Sequence, residues 1–233
     1  MKVGLVIPWR ETATRIDAFN AALKRHREIF PDLPIYKGDS SGPYFNPSEA
    51  RNRGCLAALA DGCEVLAVLD ADTLFDSLSL TEAIEIAIRT KLVCYPYTYA
   101  VDLSPGYTLS YLTGELDLFL SRDEGPGDAV AKHVGSGWVM TAEVFEKLNG
   151  WDENFLRWGY EDNAFQETHL KMLGAPMERA AGRCYKLHHD ERDIANLMAN
   201  RDRFFLYEEA TPDTIRELVS NNLVHQKKVN DED

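Results

Sequence analysis

The chain has 233 residues and a mass of 26.3 kDa, room for one large domain or two small ones with a sizeable buried core. Its 45% hydrophobic and 27% charged residues are those of an ordinary globular protein, which excludes wholesale disorder, a collagen-like repeat and a disulfide scaffold. With 25 basic against 38 acidic residues the net charge is −13, which repels phosphate backbones and argues against nucleic acid or an anionic membrane as a partner while leaving room for a local basic pocket.

The run Val3-Gly4-Leu5-Val6-Ile7, stopped by Pro8, predicts a first buried strand and is too short for a signal-peptide core. Nowhere does an apolar stretch approach the roughly 20 residues of a membrane span, so the expected location is the cytoplasm. Ile16, Phe19, Leu23, His26 and Phe30 recur at three- and four-residue steps and predict an amphipathic helix ended by Pro31. A second strand is expected over 33–36, then a turn-rich stretch over 38–43. Asn46-Pro47-Ser48-Glu49 reads as a helix start, with Asn at the cap, Pro at the first helical position and Glu placed to close a capping box, the helix running to about Asp61-Gly62.

Val65-Leu66-Ala67-Val68-Leu69 shows no alternation, as expected of a central strand covered on both faces, and it ends in Asp70-Ala71-Asp72. A helix over 79–90 follows, with Ser79 as its cap and Glu82 three residues on, then a short strand over 92–95. Between 102 and 132 the pattern loosens, Gly125-Pro126-Gly127-Asp128 reads as a mobile loop, and the region as a whole is a candidate lid or acceptor loop. A strand over 134–140, a helix over 142–148 and a helix over 161–173 closed by Gly174 complete the series, leaving 227–233 as a tail. The alternation of strands and helices predicts an α/β fold with a largely parallel sheet. Cys55, Cys63, Cys94 and Cys184 lie at no zinc-knuckle or CxxC spacing, so reduced, buried thiols are expected.

Three constellations could carry chemistry. Asp70-Ala71-Asp72 stands at the carboxyl end of a buried strand, where open α/β sheets bind ligands, and paired hard oxygen ligands there suit Mg²⁺ or Mn²⁺ holding a diphosphate. A turn or helix cap is the structural alternative. A haloacid-dehalogenase-type phosphatase, whose pattern is Asp-x-Asp-x-Thr near the chain start, does not fit: Thr73 comes one place early, Leu74 stands in the Thr position, and two βα units precede the motif. Trp158-Gly159-Tyr160-Glu161-Asp162-Asn163 is an aromatic and glycine turn running into carboxylates at a helix N-terminus, favoured there by the helix dipole in any case. Trp151, Phe155 and Trp158 crowd beside it and could wall a sugar ring, and a carboxylate in that company could act as general base toward a hydroxyl. In Tyr185-Lys186-Leu187-His188-His189-Asp190 a histidine after a strand-like run could complete a metal site begun by acids elsewhere.

In this order the motifs resemble a GT-A-fold glycosyltransferase, particularly the β-1,4-galactosyltransferase group. Pro8-Trp9-Arg10 resembles that family's Pro-Phe-Arg, which meets uridine diphosphate, and Phe45-Asn46-Pro47-Ser48-Glu49-Ala50-Arg51-Asn52-Arg53-Gly54 resembles its Phe-Asn-Arg-Ala-Lys-x-x-Asn-x-Gly. Asp70-Ala71-Asp72 matches its Asp-x-Asp. Gly135-Ser136-Gly137, Asn149-Gly150-Trp151 and Trp158 to Asn163 resemble its Gly-Gly, Asn-Gly-Phe and Trp-Gly-Gly-Glu-Asp-Asp segments, and Cys184 to His189 aligns with a segment ending in a metal-binding His, which selects His189 over His188. The likeness spans about residues 3–193. Pro47 replaces a nucleotide-contacting arginine, so Arg51 or Arg53 is expected to supply that charge. Lys186 stands where the family can offer another metal ligand and is not given that role, and Tyr160 replaces a glycine beside the sugar. The retaining polypeptide N-acetylgalactosaminyltransferases share the fold but typically carry Asn after the Glu, so Asp162 favours inversion.

The resemblance implies a mixed α/β sheet flanked by helices, one catalytic domain over 1–226 with a disordered tail over 227–233 and no appended stem, anchor or lectin, and a metal-dependent inverting transfer of a hexose from a UDP-sugar. Asp72 and His189 would hold Mn²⁺, or Mg²⁺, with Asp70 helping through the ribose or a bound water. Asp162 would be the base, with Glu161 and Trp158 positioning sugar and acceptor. Pro8, Trp9, Arg10, Asp39, Phe45, Arg51, Ala71 and Gly159 would make up the rest of the donor-facing set. The acceptor could be a glycan, a lipid-linked sugar, a protein side chain or a modified base. A phosphatase or nucleotidyltransferase using Asp70 and Asp72, and a non-catalytic sugar-binding module, stand as alternatives.

Overall fold

The apolar run at 65–69 becomes strand β3 (Val65–Leu69), every residue of it buried, because neighbours cover both its edges and helices both its faces. The computed structural model describes residues 1–119, 128–189 and 193–224. β1 (Val3–Pro8) pairs parallel with β3 in the register Val3↔Val65 to Val6↔Val68, and β2 (Ile35–Gly38) pairs parallel with β1. On the other edge β8 (Gly137–Thr141) runs antiparallel to β3 and to β5 (Cys94–Tyr95), and β9 (Glu178–Arg179) completes a six-stranded sheet in the order β2-β1-β3-β8-β5-β9. The sheet is therefore mixed, but β8 alone runs against the rest, so the largely parallel character expected from the alternation holds for the other five strands.

A second sheet, β4-β10-β6-β7, is built from β4 (Thr73–Phe75), β6 (Tyr99–Asp102), β7 (Asp128–Ala131) and β10 (Arg183–Lys186). Only residues 70–72 separate β3 in the large sheet from β4 in the small one, and the turn is closed by Thr73 N–H donating to Asp70 O at 3.2 Å. The acidic motif therefore stands where the two sheets join. β10 runs antiparallel to β4 with Lys186 opposite Thr73, and Leu187 N–H then donates to Asp72 O at 2.9 Å, so the chain leaving β10 is led directly past Asp72.

The helices are α1 (Ile16–Ile29), α2 (Pro47–Ala60), α3 (Ser77–Thr90), α4 (Pro105–Leu112), α5 (Ala142–Leu148), α6 (Glu161–Leu173), α7 (Leu197–Glu208) and α8 (Pro212–Leu218). α1 buries Ala18, Phe19, Ala22 and His26; of the expected stripe Phe19 and His26 are buried, while Ile16, Leu23 and Phe30 are half-buried. Asn46 caps α2, its side chain accepting from Glu49 N–H at 3.2 Å, but Glu49 does not close the capping box. Its Oε1 accepts instead from Ser41 N–H at 2.9 Å, Ser41 Oγ at 2.8 Å and Arg53 Nε at 2.8 Å, which ties the 39–44 turn to the helix. α3 starts two residues before the expected Ser79 because Asp76 is the better cap, its carboxylate accepting from Leu78 and Ser79 N–H at 2.8 and 3.3 Å. The strand expected from 134 begins at 137, since Gly135 and Ser136 have φ of 119° and 66°, outside any ladder conformation. The loosened stretch follows β6 and holds α4 and β7, while Gly125-Pro126-Gly127 and the 227–233 tail lie outside the described residues.

The core is dominated by aromatic rings between the large sheet and α6. Trp151 stacks on Phe165 with centroids 4.0 Å apart, and Trp138 meets Trp151 edge to face at 5.4 Å. All four cysteines are buried, free thiols, as expected. No helix among the described residues is long and apolar enough to cross a membrane.

His26 on α1 is fully buried against Phe75, and neither ring nitrogen has a hydrogen-bond partner among the described residues. Burial first and the neighbouring Arg25 charge second lower its pKa from 6.5 to about 4. The unfolded chain thus takes up a proton near pH 6.5 that the native state refuses until about pH 4. Its contribution is full above pH 6.5 and declines as pH falls to about 4, by about 3 kcal/mol in all. Urea denaturation across this window should show His26→Leu losing less stability than wild type; parallel curves would refute it.

Candidate active site

Arg51 is the centre of the site. It lies on the face of α2 that packs toward the sheet, its side chain only 4% exposed, with its guanidinium over the ring of Trp138 at 4.5 Å and near Trp151 at 5.7 Å. The rest of the fork meets three carboxylates from two places in the chain. Nη2 donates to Asp70 Oδ1 at 3.0 Å, Nη1 donates to Asp162 Oδ1 at 2.8 Å, and Nη1 lies 3.6 Å from Glu161 Oε1. Arg51 is one of the two arginines expected to supply the charge of a nucleotide-contacting arginine; its guanidinium is buried and engaged by the protein's own acids. Arg53, the alternative, pairs with Glu49 on its own helix at 2.8 Å.

Glu161 and Asp162 open α6, and the turn before them is conformationally demanding. Arg157, Gly159 and Tyr160 all have positive φ, at 64°, 115° and 67°. At Gly159 a side chain would also collide with Leu197, its Cβ falling 2.7 Å from Cδ1, and Gly159 N–H donates to Glu161 Oε2 at 3.0 Å. Tyr160, which stands where the family has glycine, keeps the left-handed conformation and stacks on Phe204 at 5.6 Å. Gly135 completes the setting, since a Cβ there would lie 2.6 Å from Asp162 Oδ2.

One positive charge faces three negative ones here. Burial, reinforced for both acids by the Asp70 charge and for Asp162 also by Glu161, raises the pKa of Glu161 and pushes that of Asp162 well above its ordinary value, although Arg51 pulls both down. For Arg51 the same carboxylates outweigh the cost of burial and keep it protonated.

Asp72 belongs to a second cluster. Its Oδ2 accepts from Arg15 Nη2 at 2.7 Å and from His189 Nε2 at 3.0 Å. Burial would raise the Asp72 pKa, but the His189 hydrogen bond and the Arg15 charge win and hold it well below the carboxylate range. His189 is brought there by the backbone bond between Leu187 and Asp72, and its neighbour His188 is not part of the wall of the cavity. As a donor set, one ionised carboxylate and one imidazole on the rim of a cavity fit Mn²⁺ or Mg²⁺ with the remaining positions left to phosphate and water. Asp70 is paired with a different cation, and no group of three His, Cys, Asp or Glu converges as a complete protein-only centre among the described residues.

Both clusters open into one cavity of about 850 Å³. Of the expected site residues it brings together Pro8, Phe45, Arg51, Asp70, Ala71, Asp72, Trp158, Gly159, Glu161, Asp162 and His189. Trp9, Arg10 and Asp39 are not in its wall among the described residues. Trp9 stacks on Phe19 at 4.1 Å, and Arg10 pairs with Asp39 at 2.8 Å and with Gly42 O at 3.0 Å, so these three knit the β1 exit to the 39–44 turn. Trp151 and Phe155, expected as sugar walls, are fully buried core residues; of the three aromatics only Trp158, 37% exposed, reaches the cavity. Sequence reading missed Arg15, His133 and Arg157 in the wall. No local signal marks Arg15, whose carboxylate partner lies 57 positions away.

Arg51→Met would leave the buried Glu161 and the half-buried Asp70 and Asp162 without their cation and should cost about 3–5 kcal/mol in urea denaturation at pH 8. The loss should shrink as pH falls and Glu161 and Asp162 protonate, since their pKa values rise further in the variant. Adding Asp162→Asn should recover part of it; equal stability of Arg51→Met and wild type at pH 8 would show that these pairs do not constrain the fold.

Residues 122–190 match the family model described as the N-terminal domain of galactosyltransferase, a stretch that carries Gly135, Trp158 to Asn163 and His189. No curated protein matches the chain. Among solved structures, the catalytic domain of Drosophila β-1,4-galactosyltransferase 7 in complex with xylobiose superposes with a TM-score of 0.56 at 18% identity, covering 90% of this chain and 82% of that one. A mutant of the same Drosophila enzyme, in complex with manganese, UDP-Gal and xylobiose, gives a TM-score of 0.51 at 18% identity over 77% of this chain, which spans 64% of that structure's length. The protein has the GT-A fold of these transferases, and over residues 122–190 it is related in sequence to the galactosyltransferases.

Proposed function

We propose that the protein is an inverting glycosyltransferase that moves a sugar, a hexose, from a uridine-diphosphate donor to an acceptor hydroxyl, with Mn²⁺ or Mg²⁺ held by Asp72 and His189. One observation carries this reading: Arg51 ties Asp70, at the end of β3, to Asp162, at the start of α6, in the cavity that also holds Asp72 and His189. The Drosophila enzyme of the same fold, solved with manganese, UDP-Gal and xylobiose, supports the choice of ion and donor. When bound, the divalent ion would neutralise the charge that develops on the leaving diphosphate.

The chain's own residues do the rest. Asp162 Oδ1 is held by Arg51 at 2.8 Å, which orients the carboxylate and leaves Oδ2 on the Gly135 side. It takes the acceptor's hydroxyl proton as that oxygen attacks the anomeric carbon from the face opposite the diphosphate. Its raised pKa makes it a stronger base than an ordinary aspartate. Glu161, through its bond from Gly159 N–H, fixes the turn that presents Trp158 to the sugar or acceptor, a contribution of orientation. Arg51 keeps Asp162 in place and tempers the repulsion among the acids.

Asp162→Asn should bind UDP with Mn²⁺ nearly as wild type does while transfer falls by roughly 10²-fold or more, the range of a general base. Calorimetry and a transfer assay on the same preparation check both halves, and full turnover would remove the assignment. Released UDP identifies transfer, whereas phosphate or pyrophosphate would point to the phosphatase or nucleotidyltransferase alternative.

The base must be ionised to work, so kcat/KM should fall as pH drops through the raised pKa of the Glu161–Asp162 pair. The acid limb should stand above the ordinary aspartate value of about 3.9. A limb at that ordinary value would assign the proton transfer elsewhere.

A further inference from the structure

Asp72 Oδ2 is the oxygen that a divalent ion held by Asp72 and His189 would use, and it is already covered by a cation. Arg15 Nη2 sits on it at 2.7 Å, beside His189 Nε2 at 3.0 Å. Arg15 precedes the first turn of α1, and its side chain, 30% exposed, lines the cavity with Thr12 and Thr14. Its pairing is incomplete: Nε is buried with no hydrogen-bond partner among the described residues. The residue falls outside the stretch that matches the galactosyltransferase model.

We propose that Arg15 is a built-in counter-cation that occupies the ion's place on Asp72 and passes to the donor's diphosphate when the ion binds. The inference rests on the reading of Asp72 and His189 as the ion's ligands. A guanidinium and a divalent ion cannot share one carboxylate oxygen without strong repulsion, so the ion must displace Arg15. The displaced side chain remains in the cavity that the diphosphate fills. A planar guanidinium suits phosphate oxygens bidentately, and such a partner can satisfy Nε together with an Nη, which Asp72 leaves undone. Ion binding alone must therefore break an ion pair, while ion and diphosphate together restore one. Each should strengthen the other's binding, reciprocally.

Calorimetric titration of the intact chain with MnCl2 alone, with UDP alone and with UDP at saturating MnCl2 tests this in wild type, Arg15→Gln and Arg15→Lys. In wild type Mn²⁺ and UDP should bind with positive coupling. Arg15→Gln should bind Mn²⁺ alone about tenfold more tightly and UDP at saturating Mn²⁺ about tenfold more weakly, a coupling loss of ordinary size. Arg15→Lys keeps the charge without the fork, so it should leave Mn²⁺ affinity near wild type and still weaken UDP; it also carries the test if Arg15→Gln fails to fold. Tighter Mn²⁺ with weaker UDP is a combination that general damage to the site does not produce. Unchanged or weaker Mn²⁺ binding in Arg15→Gln, or unchanged UDP affinity in both variants, overturns the proposal while leaving the transferase reading intact. Absence of Mn²⁺-dependent UDP binding in wild type would overturn both.

Discussion

The structure turns on a buried guanidinium. Arg51 is removed from water by Trp138 and Trp151 and balanced by Asp70, Glu161 and Asp162, acids that arrive from the end of a strand and the start of a distant helix. A buried charge tolerates little misplacement of its partners, because each lost contact leaves an uncompensated ion in low dielectric. Arg51 therefore fixes the distance between the two acidic motifs. Burial first, with the surplus of acids adding to it, raises the pKa of Glu161 and Asp162.

Around that pairing the scaffold is reinforced from the C-terminal side. Asn52, next to Arg51 on α2, donates to Trp151 O at 2.8 Å and accepts from Trp151 N–H at 2.9 Å, holding the backbone of the second ring near Arg51. Asn222 adds bonds to Asn149 O and Trp151 O at 2.9 and 2.8 Å, and Tyr207 on α7 donates to Asp152 at 2.7 Å. The last two helices thus serve the site without lining it through α8: they hold the 149–153 segment against α2, so their packing reaches the chemistry through the backbone of Trp151. The join between the sheets plays the matching role for the other cluster, since the antiparallel pairing of β4 with β10 leads His189 to Asp72.

Much of this was legible in the sequence, and the misses have physical causes. The strand at 65–69 and the helices at 142–148 and 161–173 fall where apolar runs and caps put them, because those signals are local. Glu49 and Ser79 were misread as capping partners because a cap is settled by competition: Asp76 outbids Ser79, and Ser41 with Arg53 claims Glu49. Trp151 and Phe155 looked like sugar walls because an aromatic cluster near carboxylates has the same pattern whether it faces a ligand or the core. The order of motifs found 11 residues that line one cavity, whereas Arg10 and Asp39 close on each other.

By itself the sequence determined the α/β class, the main elements, and the identity of the acids and of the histidine that meet in the cavity, because side-chain type and local spacing suffice for these. Tertiary structure alone decided what each charge faces. That Arg51 serves three carboxylates, that Asp72 is met by Arg15, and that Asp70 and Asp72, two positions apart, answer to different cations all depend on contacts between segments far apart in the chain. Electrostatic partners are set by distances of a few ångströms across the fold, and no spacing along the sequence encodes them.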